Sequence, residues 1–327
     1  MAMNRRDFLK VSAGSGLLLA SNASPAIAAP KPLPPEAVGI LYDATLCIGC
    51  KSCMVNCKKY NIMEGGALYQ KGRGIPYEHA TPERIYDAPT DLSDKTLNII
   101  KTYKSGTGMN KDSLENGYSF VKQHCLHCID PACASVCPVA ALHKDPVTGV
   151  VSYDKEKCIG CRYCQMACPF GIPKFEWASP SPKIVKCQLC HHRYSSGGYS
   201  ACCEFCPTGA SIFGKVADLR EEAKRRLTLK PDSYYDYPLQ TVNSSQTMPK
   251  KVSRYVDHVY GMEEAGGTQY LLLAGVPFDK LGFNPRITGQ VYPDLTWSYI
   301  IKVPALIGVL LVAGAVCNIA TRRKDEE

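Results

Sequence analysis

The chain has little surplus charge and no dense basic tract interleaved with aromatic residues. Across 327 residues, 38 Lys and Arg face 30 Asp and Glu, for a formal charge of +8. Part of that surplus sits in Arg5, Arg6 and Lys10 near the N-terminus. The remainder is too mild to track a nucleic-acid backbone, so no nucleic acid is expected as a partner. Catalytic groupings are missing as well. No Ser, His and Asp suggest a nucleophilic triad, and no His and carboxylate residues are spaced as a metal site. Ser105-Gly-Thr-Gly108 lacks the downstream lysine of a phosphate loop and is expected to be a turn. The chain is therefore expected to have no substrate-converting site of its own. Hydrophobic residues make up 45% of it, enough to bury a core in one large domain or two small ones.

Cysteine, by contrast, is abundant, with eighteen residues. The stretch Cys158-Ile-Gly-Cys161-Arg-Tyr-Cys164-Gln-Met-Ala-Cys168-Pro169 has the spacing C-x2-C-x2-C-x3-C-P, by which bacterial ferredoxins hold [4Fe–4S] clusters. Three thiolates two residues apart wrap the chain around one cube, and the fourth ligates a different one. Such a motif needs partners, and the chain supplies three: Cys47, Cys50, Cys53 and Cys57; Cys125, Cys128, Cys133 and Cys137; Cys187, Cys190, Cys202 and Cys206. The second widens one gap from two residues to four, and the last widens the same gap to eleven. Both keep the final x3 step followed by proline, whose fixed φ is expected to start the next helix at once. The first motif departs, with Lys58 after Cys57. Four motifs predict four [4Fe–4S] clusters, with iron as the metal and the same sixteen cysteines as its ligands.

Zinc sites also use C-x2-C pairs, but without a third cysteine two residues on or a trailing C-x3-C-P. Cysteines wound two apart around a cube are also poorly placed to pair as disulfides. Two cysteines stand outside the ligand set. Cys203 breaks the x3 spacing that Cys202 keeps, so it is expected to be a small buried hydrophobe, and Cys317 is expected only to pack. His124, His127, His191 and His192 flank the cluster cysteines and are expected to support or border the sites rather than ligate.

The N-terminus combines Arg5-Arg6-Asp7-Phe8-Leu9-Lys10, a short apolar run over Val11–Ala20 and Ala26-Ile27-Ala28. This predicts a twin-arginine (Tat) export signal over residues 1–28. Export of an already folded chain would keep sixteen thiols from meeting an oxidising periplasm unprotected. A proline-rich spacer follows, and then strand-like runs precede the first motif (Val38–Asp43) and the third (Val150–Asp154). Residues 61–117 are polar and cysteine-free, and are expected to be an insertion with little structure of its own. Beyond a helical stretch at Val216–Leu227, residues 216–298 are expected to be loop-rich and partner-contacting. Ile300–Ala320 is apolar apart from Lys302 and Asn318, and its 21 residues span roughly 30 Å, the thickness of a bilayer core. The expected anchor covers 299–321. Arg322-Arg323-Lys324 predicts that the tail 322–327 stays cytoplasmic, with the cluster domain (38–215) on the periplasmic side.

The motifs resemble those of four-cluster ferredoxin-type electron-transfer subunits of membrane-bound oxidoreductases, which serve formate dehydrogenases, nitrate reductases and dimethyl sulfoxide reductases. Ser105-Gly-Thr-Gly-Met-Asn-Lys-Asp112 and Glu115-Asn-Gly-Tyr118, together with the signal and the single anchor, resemble the HybA-type subunit of periplasmic uptake [NiFe] hydrogenases. The resemblance implies an α+β fold: a duplicated bacterial-ferredoxin-like core holding four clusters, with loop-rich insertions and a C-terminal transmembrane helix. It also implies four ligand sets: Cys47, Cys50, Cys53 with Cys206; Cys187, Cys190, Cys202 with Cys57; Cys125, Cys128, Cys133 with Cys168; and Cys158, Cys161, Cys164 with Cys137. The implied partners are the hydrogenase small and large subunits and an integral membrane quinone-reducing subunit. The half with the first and fourth motifs would face the catalytic subunit. The same relay role in a formate dehydrogenase or other molybdenum oxidoreductase is the alternative.

Overall fold

The computed structural model describes residues 31–63 and 91–322. The expected export signal over 1–28 lies outside the described residues. The chain divides into two units, Pro30–Gly289 and a C-terminal unit from Gln290 onward.

The larger unit is organised around the strand Val38–Asp43, which is buried along its whole length. Its apolar residues are buried on both faces because two layers cover it. Leu41 packs with Ile212, Leu219, Ala223, Leu271 and Leu273, beneath the helix Val216–Thr228. Ile40 and Tyr42 face the opposite way, into the layer that holds Cys47, Cys53 and Cys202. The strand pairs antiparallel with Ser211–Lys215 and parallel with Tyr270–Leu273. Gly39 permits the close approach of this second neighbour, because a Cβ there would lie 2.1 Å from the carbonyl oxygen of Gln269.

Three findings add to or differ from the expectations above. Within residues 216–298, expected to be loop-rich, Tyr270–Leu273 completes the central sheet, and Tyr234–Pro238 forms a hairpin with Thr247–Lys251. A four-residue apolar strand flanked by polar segments is too short to declare itself by periodicity. The second half of the 61–117 segment is likewise ordered. Ile99–Lys104 pairs antiparallel with Gly117–Gln123 and packs on the first motif, where Asn98 donates to the Cys53 carbonyl at 3.1 Å. Finally, the Cys-Pro steps start turns, not helices. The N–H groups of Ala140 and Gly171 donate to the carbonyls of Cys137 and Cys168 at 3.2 and 3.1 Å. Proline's φ suits the second position of a turn as well as the first of a helix, and the chain here must reverse.

In the C-terminal unit, Tyr292–Ile300 and Val303–Arg322 are helical. Tyr292–Ile319, 28 residues containing an 18-residue stretch of mean hydropathy 2.4, is long and apolar enough to cross a membrane. Helical structure thus starts earlier than the apolar run that begins at Ile300, and Trp297 and Tyr299 stand exposed just before Lys302, a composition suited to a membrane interface.

Candidate iron–sulfur centres

Two ladders bring the cysteine motifs together. The strand before the first motif pairs with the strand after the fourth, with Leu41 opposite Ile212. The strand after the second motif, Leu142–Lys144, pairs with the strand before the third, Val151–Tyr153. Chain pairing at these ladders sets the first motif against the fourth and the second against the third. Short helices repeat the arrangement: Ser52–Lys58 packs on Ala201–Glu204, and Ala132–Ser135 on Tyr163–Ala167.

The loops share one local conformation. In each C-x2-C step the residue before the second cysteine has a left-handed backbone, with φ of 70° at Gly49, 49° at His127, 72° at Gly160 and 54° at Leu189. This bend turns backbone N–H groups inward. Those of Gly49, Gly160 and Leu189 point at the sulfurs of Cys47, Cys158 and Cys187, at 3.4, 3.4 and 3.3 Å. Two loops accept a non-glycine residue in a region that L-residues rarely occupy, at a cost of roughly 1–3 kcal/mol. His127 is held there by burial and by the N–H of Val151, which donates to its Nδ1 at 3.0 Å.

The thiols fall into four neighbourhoods. Burial raises the Cys53 thiol to about 12, and Cys202, Cys47 and Cys206 stand close enough to add to the shift. Burial likewise raises Cys57, with Cys190, Cys187 and Cys202 around it. These last four also line one cavity together with Asn61 and Asn98. Cys128 is raised by burial, then by Cys168, Cys125 and Cys133. Cys164 is pushed up to about 12 by burial and by Cys158, Cys137 and Cys161, and these four line another cavity. Neighbourhoods also touch: Cys202 acts on Cys53, Cys125 on Cys187, and Cys164 on Cys133. The four therefore form a row. Its two ends carry Cys50 and Cys161, both exposed to solvent.

This donor set fits [4Fe–4S] clusters. All eighteen cysteines are free thiols, and crowding so many buried sulfurs disfavours their charged form unless iron neutralises them. Among the described residues no three His, Cys, Asp or Glu side chains are grouped to hold a single metal ion, as a structural zinc site would require. Cys203 is fully buried in the main core beside Cys202, whose thiol is lowered to about 6, foremost by a hydrogen bond from Cys203.

A family model described as a 4Fe-4S dicluster domain matches residues 117–216, which hold the second, third and fourth motifs. Hydrogenase-2 operon protein HybA of Escherichia coli O157:H7 is 45% identical over 285 residues, covering 85% of this chain and 83% of that protein. The chain belongs to the HybA family of iron–sulfur proteins. The wider family includes the nitrate-inducible formate dehydrogenase iron-sulfur subunit of Escherichia coli K12, 34% identical over 235 residues, 72% of this chain and 71% of that one. Membership makes the chain an iron–sulfur electron-transfer subunit.

Within this HybA-family site, some contributing residues escaped the sequence reading. Asn61 donates its side-chain N–H to the Cys190 sulfur at 3.4 Å and to the Cys57 carbonyl at 3.0 Å. Its place four residues after Cys57, one helical turn on, was the available signal. Lys122 and Lys186, buried among the thiols, left no such signal.

Proposed function

We propose that the chain is the relay subunit of a hydrogen-oxidising complex, carrying electrons from a periplasmic [NiFe] hydrogenase small subunit to a membrane quinone-reducing subunit. Four [4Fe–4S] clusters are held by Cys47, Cys50, Cys53 and Cys206; by Cys57, Cys187, Cys190 and Cys202; by Cys125, Cys128, Cys133 and Cys168; and by Cys137, Cys158, Cys161 and Cys164. The row of four cysteine neighbourhoods, with an exposed cysteine at each end, is the observation that carries this reading. Identity of 45% to a hydrogenase-2 operon protein supports the choice of complex.

Each bound cluster would supply a one-electron acceptor and donor. The chain's own residues hold and tune the sites. The inward N–H groups of Gly49, Gly160, Leu189 and Ser211 donate to ligand sulfurs, which stabilises their negative charge. Walls of Ile40, Leu97 and Leu189 exclude water from the Cys57 site. The twin-arginine signal and the C-terminal helix would place the chain on the periplasmic face, with the hydrogenase large subunit reached through the small one.

The alternative, the same relay in a formate dehydrogenase, draws on the 34% identity to an iron-sulfur subunit of such an enzyme. Purification of the tagged chain from detergent-solubilised membranes decides between them. We expect nickel, and hydrogen-dependent dye reduction, to co-purify with it. Molybdenum and formate-dependent reduction in place of these would overturn the hydrogenase assignment.

A further inference from the structure

Lys122 lies on the inner face of the strand Gly117–Gln123 and is fully buried. Its ammonium group donates to the Ser211 hydroxyl at 3.0 Å, with the Cys202 sulfur among its charged neighbours. No carboxylate pairs with it among the described residues. A buried ammonium balanced only by neutral groups is costly, and proteins ordinarily pair such a charge or lose its proton. The sulfurs of Cys202, Cys203 and Cys53 surround the ammonium, and Cys53 and Cys202 as thiolate ligands of the proposed clusters would supply the balancing negative charge. Cys53 belongs to the first neighbourhood in the row and Cys202 to the second, so the charge sits where the two meet. Lys186 occupies the corresponding place one step on. It is almost wholly buried, donates to the carbonyls of Val151 and Cys187 at 2.5 and 3.0 Å, and acts on Cys133 of the third neighbourhood.

We infer that Lys122 is a fixed counter-charge shared by the two clusters of the first-and-fourth-motif half, and that it raises the reduction potential of both. The inference rests on the proposed cluster assignment. Each reduction adds one negative charge to a site of low dielectric, and an immobile cation at the junction favours that step at either cluster. Ser211 holds the ammonium in place through its hydroxyl, while its own N–H donates to the Cys206 sulfur at 3.4 Å. The hydroxyl and the N–H therefore act separately.

The test is Lys122→Met in the full membrane complex, read by iron content and by a dithionite titration followed by electron paramagnetic resonance. Signals are assigned by their change in Cys47→Ser and Cys161→Ser variants. We expect unchanged iron, with about a tenfold loss in the one-electron reduction equilibrium of the first two clusters, which is 59 mV. The cluster at Cys137, Cys158, Cys161 and Cys164 should not move. Retained iron with unmoved potentials overturns the inference and leaves the cluster assignment standing. Fewer than four clusters in the unsubstituted chain overturns the assignment itself. If Lys122→Met does not retain iron, Ser211→Ala decides, since it frees the ammonium while keeping the backbone N–H. A smaller downward shift at the same two clusters is then expected, and unmoved potentials overturn the inference.

Discussion

At the scale of single residues, the cysteine spacing works only because the backbone between the cysteines bends the right way. Gly49 and Gly160 supply that bend without steric cost, whereas His127 and Leu189 adopt it under constraint from buried surroundings. The two glycines are also closely packed. A Cβ at Gly49 would lie 2.5 Å from the Phe120 ring, and one at Gly160 would lie 2.9 Å from the carbonyl oxygen of Pro182. Gly49→Ala should therefore cost about 1–2 kcal/mol of loop strain before any repacking. We expect it to lower the iron content through the Cys47 site alone. Iron analysis and the visible absorbance of the purified variant check this, and an unchanged count would mean that the bend is not needed to hold the sulfurs.

At the scale of elements, the helix Val216–Thr228 is fastened to the central strand by a buried ionic group. Arg226 is fully buried and donates to Asp43 at 3.0 Å and to Glu222 at 2.8 Å. Tyr255 donates to the same Asp43 oxygen at 2.7 Å, and Asp43 Oδ1 accepts from the Thr45 hydroxyl at 2.6 Å and from its N–H at 3.0 Å. Asp43 ends the strand only four residues before Cys47, so this group orients the start of the first cysteine loop. Arg226→Met would leave the buried Asp43 without its cation and Glu222 with only the exposed Arg225 at 3.5 Å, a loss on the order of 3–5 kcal/mol. Thermal bleaching of the visible absorbance should begin at a clearly lower temperature in this variant, while its iron content before heating equals that of the unsubstituted chain. A bleaching curve that overlays that of the unsubstituted chain would show that the ionic group does not fasten the helix.

For the whole molecule, the division at Gly289 separates a cysteine-bearing unit from a unit built on apolar helix. The last strand of the central sheet, Tyr270–Leu273, lies before that division. A chain ending at Gly289 should thus keep its iron and colour yet leave the membrane fraction on cell fractionation. Ending it near residue 265 should instead destroy the core, because Leu271, Leu272 and Leu273 are fully buried. Loss of iron from the Gly289 truncation would show that the C-terminal helices belong to the cluster fold.

Cysteine spacing alone determined the kind of chemistry, because a cube of iron and sulfide imposes its own geometry on the nearest few residues of chain. The strand at Val38–Asp43, the apolar run near the C-terminus and the helix beginning at Val216 were also legible, since each carries its signal within a dozen or so residues. Tertiary structure decided what no local window contains. The return of Tyr270–Leu273 to pair with Val38–Asp43 joins residues some 230 positions apart. The segment Ile99–Lys104 likewise settles on the first motif only through its partner strand. The buried charges of Lys122, Lys186 and Arg226 were invisible in sequence for the same reason. A lysine or arginine is normally exposed, and only the surrounding sulfurs, carbonyls or carboxylates make its burial affordable.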